Sequence, residues 1–262
     1  MVEMRKSRVL AKLRAGDIVN CFKLNFSDAR IAELAALHGF DCLWTDVEHV
    51  GNDLSVIEKQ IWAAKTADAD VVVRVSRGSY SDYIRPLELD ATGIMVPHVM
   101  SCADARQIAQ WTRFHPMGRR PLDGGNADGV YCRLATAVYV AQANRERFVI
   151  IQIEDPEPLE ELDAIAEVDG IDMLFFGPGD FSHRLGVAGE LNHPDVCAAR
   201  KQVAEVARAH GKFAGTVGSP ANARELIDLG YQFINLGSDV SLLANSVASV
   251  MEQFAHGCQA MA

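Results

Sequence analysis

The chain has 262 residues, with 25 Lys and Arg against 35 Asp and Glu, a formal net charge of −10, and 49% hydrophobic and 23% charged residues. This ordinary globular composition excludes a disordered chain, a collagen-like repeat and a disulfide-stapled miniprotein. The acidic balance argues against nucleic acid, since nothing neutralises a run of phosphates, yet a local site can still hold a small anion.

The N-terminal residues Met1-Val2-Glu3-Met4-Arg5-Lys6 have no apolar signal core, and no stretch approaches the ~18 apolar residues of a membrane span. Neither a secretory signal nor a membrane partner is expected. Cys21, Cys42, Cys102, Cys132, Cys197 and Cys258 form no CxxC pair and no zinc spacing. They read as buried, reduced thiols of a cytoplasmic protein.

In chain order, short apolar, β-branched runs occupy 18–25, 42–49, 71–76, 93–99, 148–154, 171–177, 212–217 and 231–237. Segments of helical period separate them at 28–38, 54–67, 102–114, 158–168, 195–210 and 221–229, and a last one runs over 241–254. The runs are nearly continuous in apolar residues, as strands covered on both faces must be. Gly39, Gly170 and Gly230 each follow a helical segment and open a strand, which predicts left-handed helix C-caps. Eight strand–helix units predict an α/β fold, a single (β/α)₈ TIM barrel over 1–262, rather than an open doubly wound sheet. Neither GxGxxG nor GxxxxGK[ST] is present. The Gly-, Pro- and Asp-rich stretch 116–130 is too long for a plain connection and reads as a functional or interface loop.

A barrel places its chemistry at the C-terminal ends of its strands. There the runs carry Asp46-Val47-Glu48-His49, Arg74, Gln152-Ile153-Glu154 and Gly177-Pro178-Gly179-Asp180. Glu154 and Asp180 end adjacent strands, and two carboxylates without Cys or clustered His favour a hard divalent ion, Mg²⁺ or Mn²⁺. Asp180 also reads as an N-cap of 181–185, a role compatible with metal binding. Backbone N–H groups at Gly179 and Asp180 offer a site for a substrate carboxylate. Arg74 needs either a core carboxylate or a ligand. His49 reads as a general base oriented by Asp46, or as a structural strand-end histidine. His98 is a further candidate near the mouth, whereas His38, His210 and His256 fall at solvent-facing helix ends.

The segments FDCLWTDVEH (40–49), GIMVPHV (93–99), FVIIQIED (148–155), GIDMLFFGPGDFS (170–182) and LGSD (236–239) resemble the HpcH/HpaI family of metal-dependent, class II pyruvate aldolases. The likeness is collinear over about 18–254. It implies a (β/α)₈ barrel whose last helix swaps between subunits, in a homo-hexamer built as a trimer of dimers. It also implies reversible cleavage of a 4-hydroxy-2-oxo acid to pyruvate, or a close 2-oxo acid, and an aldehyde through a metal-stabilised enolate. The family's metal ligands fall on Glu154 and Asp180, with Mg²⁺ or Mn²⁺ expected and Co²⁺ also compatible. Its keto-oxygen arginine falls on Arg74, its proton-transfer histidine on His49 and a pocket-lining residue on Gln152. The N–H groups that receive the pyruvate carboxylate fall on Gly179 and Asp180. Glu88 matches a carboxylate that reaches a neighbouring subunit's site and pairs with the histidine.

Three departures stand out. The family's GxRG reads Gly118-Arg119-Arg120-Pro121, the segment 122–130 differs, and Lys23 replaces an apolar or aromatic residue facing the acceptor. All three alter the part that selects the second substrate. Lys23 reads either as a partner of Asp46 or Glu48 or as a receiver of acceptor carboxylate or hydroxyls. A Schiff-base mechanism lacks a well-placed lysine, because Lys212 falls at the wrong end of its strand. Two other readings are a C–C lyase or Claisen-type condensing enzyme acting on a CoA ester or another 2-oxo acid, and a non-catalytic oxoacid-binding barrel.

Overall fold

Eight parallel strands close into a barrel in sequential order: β1 (Val19–Lys23), β2 (Cys42–Asp46), β3 (Asp70–Arg74), β4 (Gly93–Val96), β5 (Phe148–Ile153), β6 (Met173–Phe176), β7 (Phe213–Val217) and β8 (Phe233–Ser238). The computed structural model describes residues 2–259. Among the described residues eleven α-helices accompany the strands: α1 (Arg8–Ala15), α2 (Ala29–Leu37), α3 (Leu54–Lys65), α4 (Tyr80–Glu88), α5 (Cys102–Thr112), α6 (Thr136–Glu146), α7 (Leu162–Ala166), α8 (Pro178–Arg184), α9 (Pro194–Ala209), α10 (Ala223–Asp228) and α11 (Asp239–Gln259).

The strand period of two explains the near-continuous apolar runs. Cys42, Trp44, Val72, Met95, Ile150, Met173 and Phe175 fill the barrel interior. Their neighbours Leu43, Val71, Val73, Ile94, Ile151 and Leu174 pack outward against the helices. Each strand therefore buries both faces. Gly39, Gly170 and Gly230 adopt φ of +93°, +92° and +105°, the left-handed turns expected where a helix hands over to a strand.

Helix α1 was not foreseen. It closes the N-terminal end of the barrel, with Val9, Leu10 and Leu13 packed on the interior residues. Buried Asp70 accepts from the Ser7 hydroxyl at 2.6 Å and the Val9 N–H at 2.9 Å, and Asp41 receives Lys12 at 2.6 Å and Arg8 at 2.9 Å. These contacts fix the bottom and leave the opposite end open.

Helices α4 and α6 were also not foreseen, and the helical stretch 158–168 resolves into a 3₁₀ turn, Glu157–Glu161, followed by the short α7. The cysteine expectation needs correction. Cys21, Cys42 and Cys102 are buried, but Cys132 and Cys197 are exposed, because they lie on the 116–133 loop and the outer face of α9. The side chain of Cys258 lies outside the described residues. Among the described residues no helix is long and apolar enough to cross a membrane.

Candidate active site at the carboxyl ends of the strands

Asp46 and Arg74 are register partners at the ends of β2 and β3, so strand pairing alone brings them together. Arg74 donates from Nε to Asp46 Oδ1 at 3.2 Å and from Nη2 to Oδ2, and its Nε lies 3.1 Å from Glu48 Oε2. Lys23 Nζ sits 3.0 Å from Asp46 Oδ2. Both cations lie 5.0 Å from the centre of the Trp44 ring, which forms the floor beneath them. Burial alone would raise the Asp46 carboxyl, but Arg74 and Lys23 overcome it and hold the group at about 2.

The expected Asp46–His49 pairing is corrected by this geometry. Asp46 points inward and accepts the backbone N–H groups of Glu48 at 2.9 Å and His49 at 3.3 Å, not the imidazole. His49 lies past the strand end with its side chain 58% exposed, and Nε2 is 3.6 Å from Glu48 Oε2. Glu48, which the sequence offered only as a neighbouring acid, therefore stands between Arg74 and the histidine.

Across the mouth, Glu154 follows β5. Its Oε1 accepts the His98 backbone N–H at 2.9 Å and its Oε2 accepts Gln152 Nε2 at 3.0 Å. Gly177 leaves the space this carboxylate occupies; a Cβ there would lie 2.6 Å from Glu154 Oε2. Asp180 is the third residue of α8, whose N-cap is Gly177, so Asp180 is not the cap foreseen. Gly179 and Asp180 do open that helix. Burial, augmented by the charge of Asp180, pushes the Glu154 carboxyl up to about 7, against the pull of His98.

Two carboxylates that repel each other in a partly dry site fit a divalent cation, which would reverse that repulsion. Among the described residues no cluster of three His, Cys, Asp or Glu is placed to hold a metal. A pair of carboxylates completed by water and substrate oxygens suits a hard ion.

His98 was foreseen near the mouth and is there, in a left-handed backbone at φ +48°. Its Nδ1 bonds Asp155 Oδ2 at 2.8 Å. Burial opposes its charge, yet Asp155, Glu154 and Glu48 together raise its pKa. Lys212, just before β7 at the barrel bottom, donates to the Val168 and Ile171 carbonyls and cannot reach the mouth. Glu88, the last residue of α4, lies in this chain beside Arg120 and Asp128, and burial raises its carboxyl. Arg120 bonds Asp128 at 2.8 Å inside the 116–130 loop, where Tyr139 also donates to Asp128 at 2.8 Å.

A barrel with a buried arginine, paired carboxylates and histidines at the carboxyl ends of its strands has the layout of a (β/α)₈ enzyme. The chain belongs to the HpcH/HpaI aldolase/citrate lyase family, whose model matches residues 21–246. It is 33% identical over 260 residues to a hydroxypyruvate/pyruvate aldolase of Pseudomonas aeruginosa, covering 99% of this chain and 97% of that one. It is 34% identical to a 2-keto-3-deoxy-L-rhamnonate aldolase of Klebsiella pneumoniae, over 88% of this chain and 86% of the relative. Among solved structures, the citrate synthase SbnG superposes with a TM-score of 0.86 at 27% identity, covering 95% of this chain and 98% of the other.

Proposed function

We propose that the protein is a class II pyruvate aldolase, reversibly cleaving a 4-hydroxy-2-oxo acid to pyruvate, or a close 2-oxo acid, and an aldehyde. The observation that carries this reading is the convergence on one mouth of Arg74, braced by Asp46 and Glu48, with the carboxylates of Glu154 and Asp180. Cleavage breaks the C3–C4 bond and leaves its electron pair on C3, so the site must stabilise an enolate oxyanion. Arg74 supplies a charged donor at that oxygen. The N–H groups of Gly179 and Asp180 receive the substrate carboxylate. His49, directly or through a water, takes the C4 hydroxyl proton as the aldehyde carbonyl forms, and C3 is protonated afterwards. Gln152 holds Glu154 in place. A divalent ion held by Glu154 and Asp180, Mg²⁺ or Mn²⁺ with Co²⁺ also compatible, supplies Lewis-acid stabilisation when bound. Lys23 braces Asp46 and presents its remaining N–H donors to the acceptor half.

The assembly proposed is a homo-hexamer, a trimer of dimers, in the cytoplasm. An apolar groove of about 460 Å³ between α2 and α11 is lined by Phe22, Ile31, Leu34, Phe40, Leu242 and Leu243. Farther along α11, Val247, Val250, Met251 and Phe254 form an exposed stripe at i, i+3, i+4 and i+7. A swapped α11 would bury both, and Glu88 would meet the site of a neighbouring copy.

The likeness to a citrate synthase favours one alternative: the same enolate machinery condensing with a different acceptor, in a Claisen-type reaction. A screen of 4-hydroxy-2-oxo acids with Mg²⁺, Mn²⁺ and Co²⁺, following pyruvate release, decides between them. Release from at least one acid supports the aldolase. No release from any, with condensation of a CoA ester instead, overturns it.

A further inference from the structure

His98 has no task in the chemistry above, yet its placement is specific. A non-glycine residue in the left-handed region is uncommon and strained, and it persists only when its surroundings hold it there. Here the His98 N–H is tied to Glu154 and the ring Nδ1 to Asp155. Asp155 is itself buried, and its second oxygen receives Arg184 Nε at 2.9 Å. The ring is thus anchored on its Nδ1 side.

Nε2 is the free end. Among the described residues it makes no hydrogen bond, and Glu48 Oε1 lies 3.9 Å from it. The side chain is 29% exposed, and this nitrogen lies on the side of Glu48, which follows β2 at the mouth. Glu48 on the Nε2 side, with Glu154 and Asp155 on the Nδ1 side, gives the ring negatively charged neighbours, which disfavours an acidic ligand. A hydroxyl both donates and accepts, so it satisfies Nε2 in either protonation state and can also donate to Glu48. An unsubstituted alkyl group leaves both unanswered.

Resting on the aldolase reading, we propose that His98, positioned by Asp155 and Arg184, binds a hydroxyl on the acceptor half of the substrate. The acceptor class is then the neutral hydroxyaldehydes, in preference to their deoxy counterparts.

The test runs in the condensation direction with the metal-loaded enzyme and pyruvate. It compares kcat/KM for glycolaldehyde against acetaldehyde, and for glyceraldehyde against propionaldehyde. The variants are His98→Asn and His98→Gly, both compatible with a left-handed backbone and so able to keep the N–H on Glu154. The wild type is expected to prefer the hydroxyaldehyde of each pair. Both variants should lower that preference about tenfold, the effect of one lost hydrogen bond, chiefly through KM for the hydroxyaldehyde. Asp155→Asn should shift the same ratio in the same direction. An unchanged ratio, a wild type that prefers the deoxyaldehydes, or an equal loss for both members of each pair overturns the assignment and leaves His98 as a brace for Glu154. Deuterium exchange of pyruvate by the wild type separates the two levels. Exchange with an unchanged ratio sinks only the role of His98, whereas no exchange with any metal sinks the aldolase reading and this inference with it.

Discussion

Replacing Asp46 by Asn tests the arrangement that aims Arg74. Asp46 is fully buried, accepts two N–H groups from Arg74 and lies 3.0 Å from Lys23 Nζ. The amide keeps the volume but removes the charge facing two cations. Lowering of the carboxyl from 3.8 to about 2 corresponds to about 2 kcal/mol in favour of the ionised folded form. Breaking a buried pair from one side typically costs about 3–5 kcal/mol. Glu48 remains 3.1 Å from Arg74 Nε, so the loss expected is about 2–3 kcal/mol. For a chain of this size that lowers Tm by about 5–10 °C. Calorimetry at fixed protein concentration measures it, because any association of subunits would also move Tm. The folded pKa is depressed, so the stabilisation is complete above the unfolded value near 4 and disappears as pH falls through about 2. The gap between wild type and variant should therefore hold steady at neutral pH and narrow across that acid window. Turnover should fall by about a hundredfold as Arg74 loses its aim. A Tm within about 1 °C of wild type, or a gap that widens on acidification, refutes the reasoning.

Glu154→Gln and Asp180→Asn should each abolish metal-dependent turnover and weaken Mn²⁺ binding, read by isothermal titration calorimetry, while circular dichroism stays native; full activity in either removes the metal assignment. Arg74→Met should cripple pyruvate proton exchange and cleavage together, whereas His49→Ala should reduce cleavage more than exchange, and equal damage in His49→Ala rejects that division of labour. Lys23→Met should raise KM for a polyhydroxylated acceptor more than it slows pyruvate exchange; parallel loss of both would assign Lys23 wholly to its ion pair with Asp46.

The barrel was legible because each strand buries both faces, leaving eight apolar runs that mark the strands before any contact is known. Helix α1 was not, since Val9, Leu10 and Leu13 sit among Arg8, Lys12 and Arg14 in an eight-residue segment, too short for a convincing period. Pro86 inside α4 obscured that helix in the same way. In the site, Arg74, Glu154 and Asp180 could be read as strand-end residues. The pairing of Lys23 with Asp46 was legible, but that of Arg74 with Asp46 was not: proximity in sequence pointed to His49, whereas register sets Arg74 beside it. Glu48 and the His98–Asp155 contact depend on turns beyond the strands, where no periodicity applies. The charged neighbours of Glu88 within one chain are Arg120, Asp128, Asp123 and Arg85, all but Arg85 distant from it in sequence, so its surroundings too depend on the fold.

The most direct measurement is deuterium exchange into the methyl group of pyruvate in D₂O, followed by proton NMR with and without divalent metal. Enolisation at the Arg74, Glu154 and Asp180 site is expected to give exchange that needs Mg²⁺, Mn²⁺ or Co²⁺, stops with chelator and is lost in Arg74→Met. No exchange with any of these metals, or exchange that persists undiminished in chelator, would contradict metal-assisted enolate chemistry at this barrel mouth.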